Sequence, residues 1–228
     1  MQEPLTNTRS ADCEYFIKQS EPQSFKVKVM GITLVLFAGF ELVYTHLNWG
    51  KGDTAQFANS PVATTYLSVV STIFAVWLVQ GLLQTYLGFS TSAKVQRGKR
   101  SEVETAVSLL KWFSIAVIVF ALISVLMQTL VAFEMAETAK KYVTDHGVEH
   151  LEGWQTWFVT EENIGQAAEA TRIAFLVITL TALGIQFLFC AWCFGSTWKY
   201  SADVAYVASS LEPVEAPEFD TEKGNALN

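Results

Sequence analysis

Four long apolar runs dominate the chain: Met30 to Leu47, Val62 to Phe89, Trp112 to Phe133 and Ile173 to Trp198. Each reaches or approaches the ~20 residues that an α-helix needs to cross ~30 Å of hydrocarbon. They are continuously apolar and far longer than the ~10-residue alternating segments of a membrane β-barrel, so they predict helices. The pattern predicts an all-α, polytopic membrane protein: a four-transmembrane-helix bundle within residues 26–200, with helices over about 29–48, 62–89, 106–140 and 165–198. The flanking segments, 1–25 and 201–228, are polar and weakly hydrophobic and are expected to be disordered. The acidic tail reads as a solvated spacer or a weak partner-binding segment.

Composition agrees with that class. Of 228 residues, 51% are hydrophobic and 16% charged, against roughly 25% charged in soluble domains. The first run follows a polar, partly acidic segment and lacks a basic start and a small-residue cleavage site, so it is expected to stay in the mature protein.

Charge then sets an orientation. Eleven of the fifteen Lys and Arg residues fall in the N-terminal segment, the segment between helices 2 and 3 ("KVQRGKRSE" and, beyond it, Lys111) and the tail, and four fall in the other two loops. The positive-inside rule predicts cytoplasmic termini and a cytoplasmic second loop. Lys94, Arg97, Lys99 and Arg100 in that loop are expected to contact lipid headgroups rather than nucleic acid. The third loop, Glu134 to Arg172, carries eight acidic residues. It is expected to extend the third helix through "EMAETAKKYV" and to start the fourth at "TEENIGQAAEATR", with Thr160 as cap. Trp49, Trp154, Trp157 and Phe158 suit the membrane–water interface.

Candidate chemistry is sparse. His146, Glu149 and His150 match H-x-x-E-H, an inverted zinc-peptidase pattern, but Gly147 interrupts the helix it needs and the loop is too short for a cleft. "CAWC" at Cys190 and Cys193 has metal or redox spacing but no second pair. Cys193 and Cys13 are candidate palmitoylation sites. The reading is therefore non-enzymatic, with no metal or cofactor.

Polar groups inside the spans are more informative, because they are costly in hydrocarbon and mark function or packing. Glu41 lies 13 residues above Lys28, which puts it ~20 Å up an outward-running helix, in the outer third. Gln128, Thr65, Ser68, Thr179 and Thr181 can share its level. Gln80 and Gln84 on helix 2, with Gln186 on helix 4, are expected to form a lower layer. Such groups serve as interhelical glue, as an ion or proton site, or as a subunit interface. Gly31, Ala38 and Gly39 on helix 1 and Thr64, Ser68, Thr72, Ser71 and Ala75 on helix 2 give the small-residue spacing of close helix packing.

Two resemblances bear on function. "FKVKVMGITLVLFAGF" resembles the opening of MARVEL-domain tetraspan proteins of the synaptophysin and synaptogyrin type, and "ATRIAFLVITLTALG" is similar to their last span. The layout over residues 25 to 200 agrees, although that type often carries outer-loop cysteines and this chain has none. The resemblance implies an organiser of membrane domains or vesicle traffic in the plasma membrane or a vesicle, acting through lipid and through other membrane proteins or its own copies. Helix 1 also resembles the pore helix of Orai-type channels: Glu41, Phe37, Leu34 and Met30 share one stripe, with Lys26 at its foot. That resemblance implies an acidic ring above an apolar gate. An accessory subunit of a larger membrane complex is a third expectation.

Overall fold

The computed structural model describes residues 11–49, 51, 61–146 and 163–211. They form four helices: α1 (Ala11–Asn48), α2 (Pro61–Arg97), α3 (Arg100–His146) and α4 (Ile164–Ser210). All four are long and apolar enough to cross a membrane. The candidate cap Thr160, together with Glu149, His150, Trp154, Trp157 and Phe158, lies outside the described residues; α4 is preceded by Asn163 at its N-cap.

Each helix buries a stripe at steps of three and four, the periodicity that sets neighbouring helices a small angle apart in left-handed bundles. On α2 the stripe runs Val70, Ile73, Trp77, Gln80, Gln84, Gly88, Thr91 and Val95. On α4 it runs Cys190, Cys193, Thr197, Tyr200, Val204 and Val207. The helices pack as α1 on α2, α2 on α3, α3 on α4 and α4 on α1, so α1 faces α3 and α2 faces α4 across the axis. Residue 11, the α2–α3 turn and residue 211 share one end, called proximal below; α1 ends and α2 begins at the distal end.

The α2–α3 turn shows how sequence fixes this pairing. Gly98 adopts a left-handed φ of 71°, which glycine tolerates because it has no Cβ. Its N–H donates to the Lys94 and Val95 carbonyls at 3.1 and 3.2 Å, closing α2 as a glycine C-cap does. So short a link makes α2 and α3 antiparallel neighbours.

At the proximal end the helices continue well past the apolar runs. Residues 11–25, expected to be disordered, form the first turns of α1, and α4 continues to Ser210 through residues expected in the disordered tail. The reason is a packed cluster. Cys13, Val27, Val95, Val103, Leu110, Tyr200, Val204 and Val207 bury together, with Phe16 and Ile17 against them. Only one face of Ala11–Phe25 packs inward, and it includes Ser20, Gln23 and Ser24. Segment hydropathy hides such a stripe.

The distal half is more open. Between Glu169 and Phe189 only Leu183 of α4 is buried, and no residue of α1 beyond Ala38 is. Buried clusters drawing on both the α1–α2 and α3–α4 hairpins lie at or proximal to Ala38 and Ile73 among the described residues.

Candidate functional site

Glu41 continues the inward stripe of α1, three residues after buried Ala38. It is half-buried because the bundle opens at that level. Among the described residues it has no hydrogen bond or ion pair. Ser68 and Thr65 are exposed and donate to their own helix, to the Thr64 and Pro61 carbonyls, both at 2.9 Å. Thr179 is half-buried and Thr181 exposed. Among the described residues no polar layer assembles around Glu41.

Gln128 instead donates from Nε2 to Gln186 Oε1 at 3.2 Å, joining α3 to α4. Gln186 lies 12 residues above Trp198 and Gln128 16 above Trp112, an offset of ~6 Å along the axis that two long amide side chains span. The expected upper and lower layers are thus linked through α3 and α4, leaving Gln80 and Gln84 apart from Gln186.

Gln80 and Gln84 face the axis one turn apart. Both are buried, Gln84 completely, and its amide sits beside the Cys193 thiol of the diagonal helix. Gln80 Nε2, both polar atoms of Gln84 and Gln186 Nε2 form no hydrogen bond among the described residues. Each such buried group costs about 1–3 kcal/mol. The axis therefore retains unused, uncharged hydrogen-bonding capacity.

The proposed pore stripe divides between core and surface. Leu34 packs with Ala38, Ile73, Trp77, Ala121 and Cys190, and Met30 with Val117 and Cys193, inside the chain's own core. Lys26 points outward, and Phe37 is largely exposed, its ring 6.1 and 6.2 Å from those of Phe74 and Trp77. The stripe is a single one by spacing, but its Met30 and Leu34 are taken up in the chain's own core while Lys26 and Phe37 lie at its exposed edge.

Close packing concentrates where α1 crosses α2. A Cβ on Gly31 would meet the Thr85 amide nitrogen at 2.7 Å and the Gly81 carbonyl oxygen at 2.9 Å. Gly31 and Ala38 of the expected small set are buried, whereas Thr64, Ser68, Thr72 and Ala75 are exposed. Cys13, Cys190 and Cys193 are in no disulfide and all are buried, so neither palmitoylation candidate is at the surface.

Around the basic turn, Arg97 and Lys99 pair with Glu102 at 3.2 and 3.6 Å, and Arg100 pairs with Glu104 at 2.8 Å. These exposed pairs are worth ~0–1 kcal/mol each. Lys94 is half-buried on the last turn of α2. Lys28 lies over the Phe89 ring, 4.8 Å from its centroid.

A distal ion network goes beyond the sequence reading. Lys140 Nζ meets Glu169 Oε2 at 2.7 Å, and Arg172 Nη1 meets Glu137 Oε1 at 3.1 Å. Arg172 Nε also donates to Glu169 Oε1 at 2.9 Å, and Nη2 to the same oxygen. Hydrogen bonds from Arg172, then Lys140, pull the Glu169 carboxyl down to about 2. The signal is present in sequence: acid then base three residues on at the end of α3, and the same order at the start of α4. Antiparallel pairing sets each acid against the other helix's base. His46 Nε2 and Ser71 Oγ, 3.1 Å apart, tie α1 to α2 near the same end. Trp49 stacks on Tyr66 with centroids 6.4 Å apart.

Among the described residues, no three His, Cys, Asp or Glu gather as a metal site. No family model matches the chain, and neither does any curated protein or solved structure.

Proposed function

We propose that the chain is a non-enzymatic tetraspan membrane protein, MARVEL-like in layout, that organises membrane domains or vesicle traffic through lateral contacts, with its proximal end in the cytoplasm. The observation that carries this reading is an outward-facing stripe on α4. Ala174, Val177, Thr181, Gly184 and Leu188 follow at steps of three and four, and all are exposed. Nothing lies within 4 Å of the point where a Cβ on Gly184 would stand.

Lipid tails are as apolar as leucine, so hydrophobicity alone does not drive helices together in a bilayer; small residues do so by letting backbones approach. On α1 and α2, Gly31 and Gly81 perform that task inside the chain. On α4 small residues face away from the bundle, the arrangement that suits a neighbouring helix. An accessory subunit of a larger complex would use the same face.

The mass of the particle extracted in mild detergent tests the reading. An assembly heavier than the single 25.3 kDa chain, reduced to that mass by Gly184→Ile, is the expected result. A single chain before and after the substitution would overturn it.

A further inference from the structure

Between the first turns of α3 and the last turns of α4 lies an open cavity of about 360 Å³. Its polar lining comprises Arg100, Glu104, Ser108 and Lys111 from α3 and Ser209 from α4, over an apolar floor that includes Val107 and Ala208. We infer that this cavity binds the phosphorylated headgroup of an anionic lipid carrying more than one phosphate.

Hydrogen-bonding capacity in the cavity is weighted towards donors. Arg100 uses its Nε on Glu104 Oε1 at 2.8 Å, which leaves the two terminal nitrogens of the guanidinium for a phosphate. The Lys111 ammonium and the Ser108 hydroxyl have no partner among the described residues. Ser209 Oγ donates to the Tyr206 carbonyl at 2.8 Å and offers only its lone pairs. Among the described residues Glu104 is the single carboxylate in the lining, and it is already paired.

Depth selects a lipid headgroup. Trp112, next to Lys111, is 69% exposed, and Trp198 on α4 is also exposed; such rings settle at the boundary of the hydrocarbon. The cavity therefore begins at the membrane surface and leads away from it. Arg100 and Lys111 lie on one face of α3, eleven residues and three turns apart, ~16 Å along the helix. A headgroup with one phosphate engages the Lys111 end alone. A polyphosphorylated ring standing off the surface reaches towards Arg100 as well.

The inference rests on the orientation proposed above and is independent of lateral contacts. Its test uses the purified full chain, so failure of lipid binding and failure of self-association are separate results. Native mass spectrometry in phosphatidylcholine nanodiscs containing phosphatidylinositol bisphosphate should show one such lipid retained per chain. Lys111→Gln and Arg100→Gln should each weaken retention about fivefold, the factor implied by ~1 kcal/mol per basic side chain near the surface. Lys18→Gln, at an exposed position elsewhere on α1, should change nothing. Equal retention of phosphatidylserine at matched charge would overturn the inference, as would indifference to both variants. Soluble inositol trisphosphate bound as tightly as the lipid would overturn the lipid source and assign the cavity to a free polyphosphate.

Discussion

Gly31 and Gly81 meet backbone to backbone where α1 crosses α2: a Cβ on either would lie 2.9 or 2.8 Å from the other's carbonyl oxygen. No real side chain fits at those distances without moving a helix. Gly31→Ala and Gly81→Ala are therefore expected to destabilise the protein by ~1–3 kcal/mol each. Gly195 has nothing within 4 Å of its would-be Cβ, so Gly195→Ala should stabilise, by ~0.5–1 kcal/mol. Thermal unfolding in detergent reads both signs. Equal effects at Gly31 and Gly195 would contradict the close crossing.

The Gln128–Gln186 bond predicts a coupling that Glu41 lacks. A double-mutant cycle of Gln128→Met and Gln186→Met should give ~0.6 kcal/mol, and no more than ~1.7. Pairing Glu41→Gln with Gln128→Met should give none. Coupling between Glu41 and Gln128 would restore the layer that the sequence suggests.

Acid should loosen the distal end. The Glu169 carboxyl is held at about 2, below its ordinary 4.5, so the folded state binds that proton less readily than the unfolded chain. Its stabilisation is complete above about pH 4.5 and is lost as pH falls towards 2. Glu169→Gln should flatten this part of the stability–pH curve, and salt should weaken the wild-type effect because the groups are partly exposed to solvent. A wild-type curve with no fall between those values would contradict the network.

Cys13 reports on the start of α1. With Cys13, Cys190 and Cys193 all buried, a bulky maleimide should label none of them in the native protein within minutes, and all three after unfolding in strong detergent. Rapid labelling at Cys13 alone would mean that Ala11–Phe25 is not packed against α4.

The spans were legible because membrane crossing demands long uninterrupted apolar runs, which hydropathy detects directly. The proximal extension was not, because Ala11–Phe25 is polar on most of its surface and buries small or polar residues such as Cys13, Ser20 and Ser24. Gly31 was recognisable as a small residue. Its partner Gly81 was not, since a lone glycine between Gln80 and Leu82 carries no repeat. Thr64, Ser68 and Thr72 had interface spacing, yet they face outward, and the Ser68 and Thr72 hydroxyls donate to their own helix at 2.9 and 2.7 Å. Spacing defines a stripe but not the direction in which it points. The pairing of Gln128 with Gln186 depended on which helices are neighbours, and that information lies between segments rather than within them.

The central claim, that the outward stripe of α4 meets another protein in the membrane, is tested most directly by photo-crosslinking in native membranes. A benzophenone side chain at Val177, on that stripe, should give protein adducts of discrete mass that Gly184→Ile abolishes. The same group at Leu122, exposed on α3, should give lipid adducts only. Lipid adducts alone at Val177 would contradict the account.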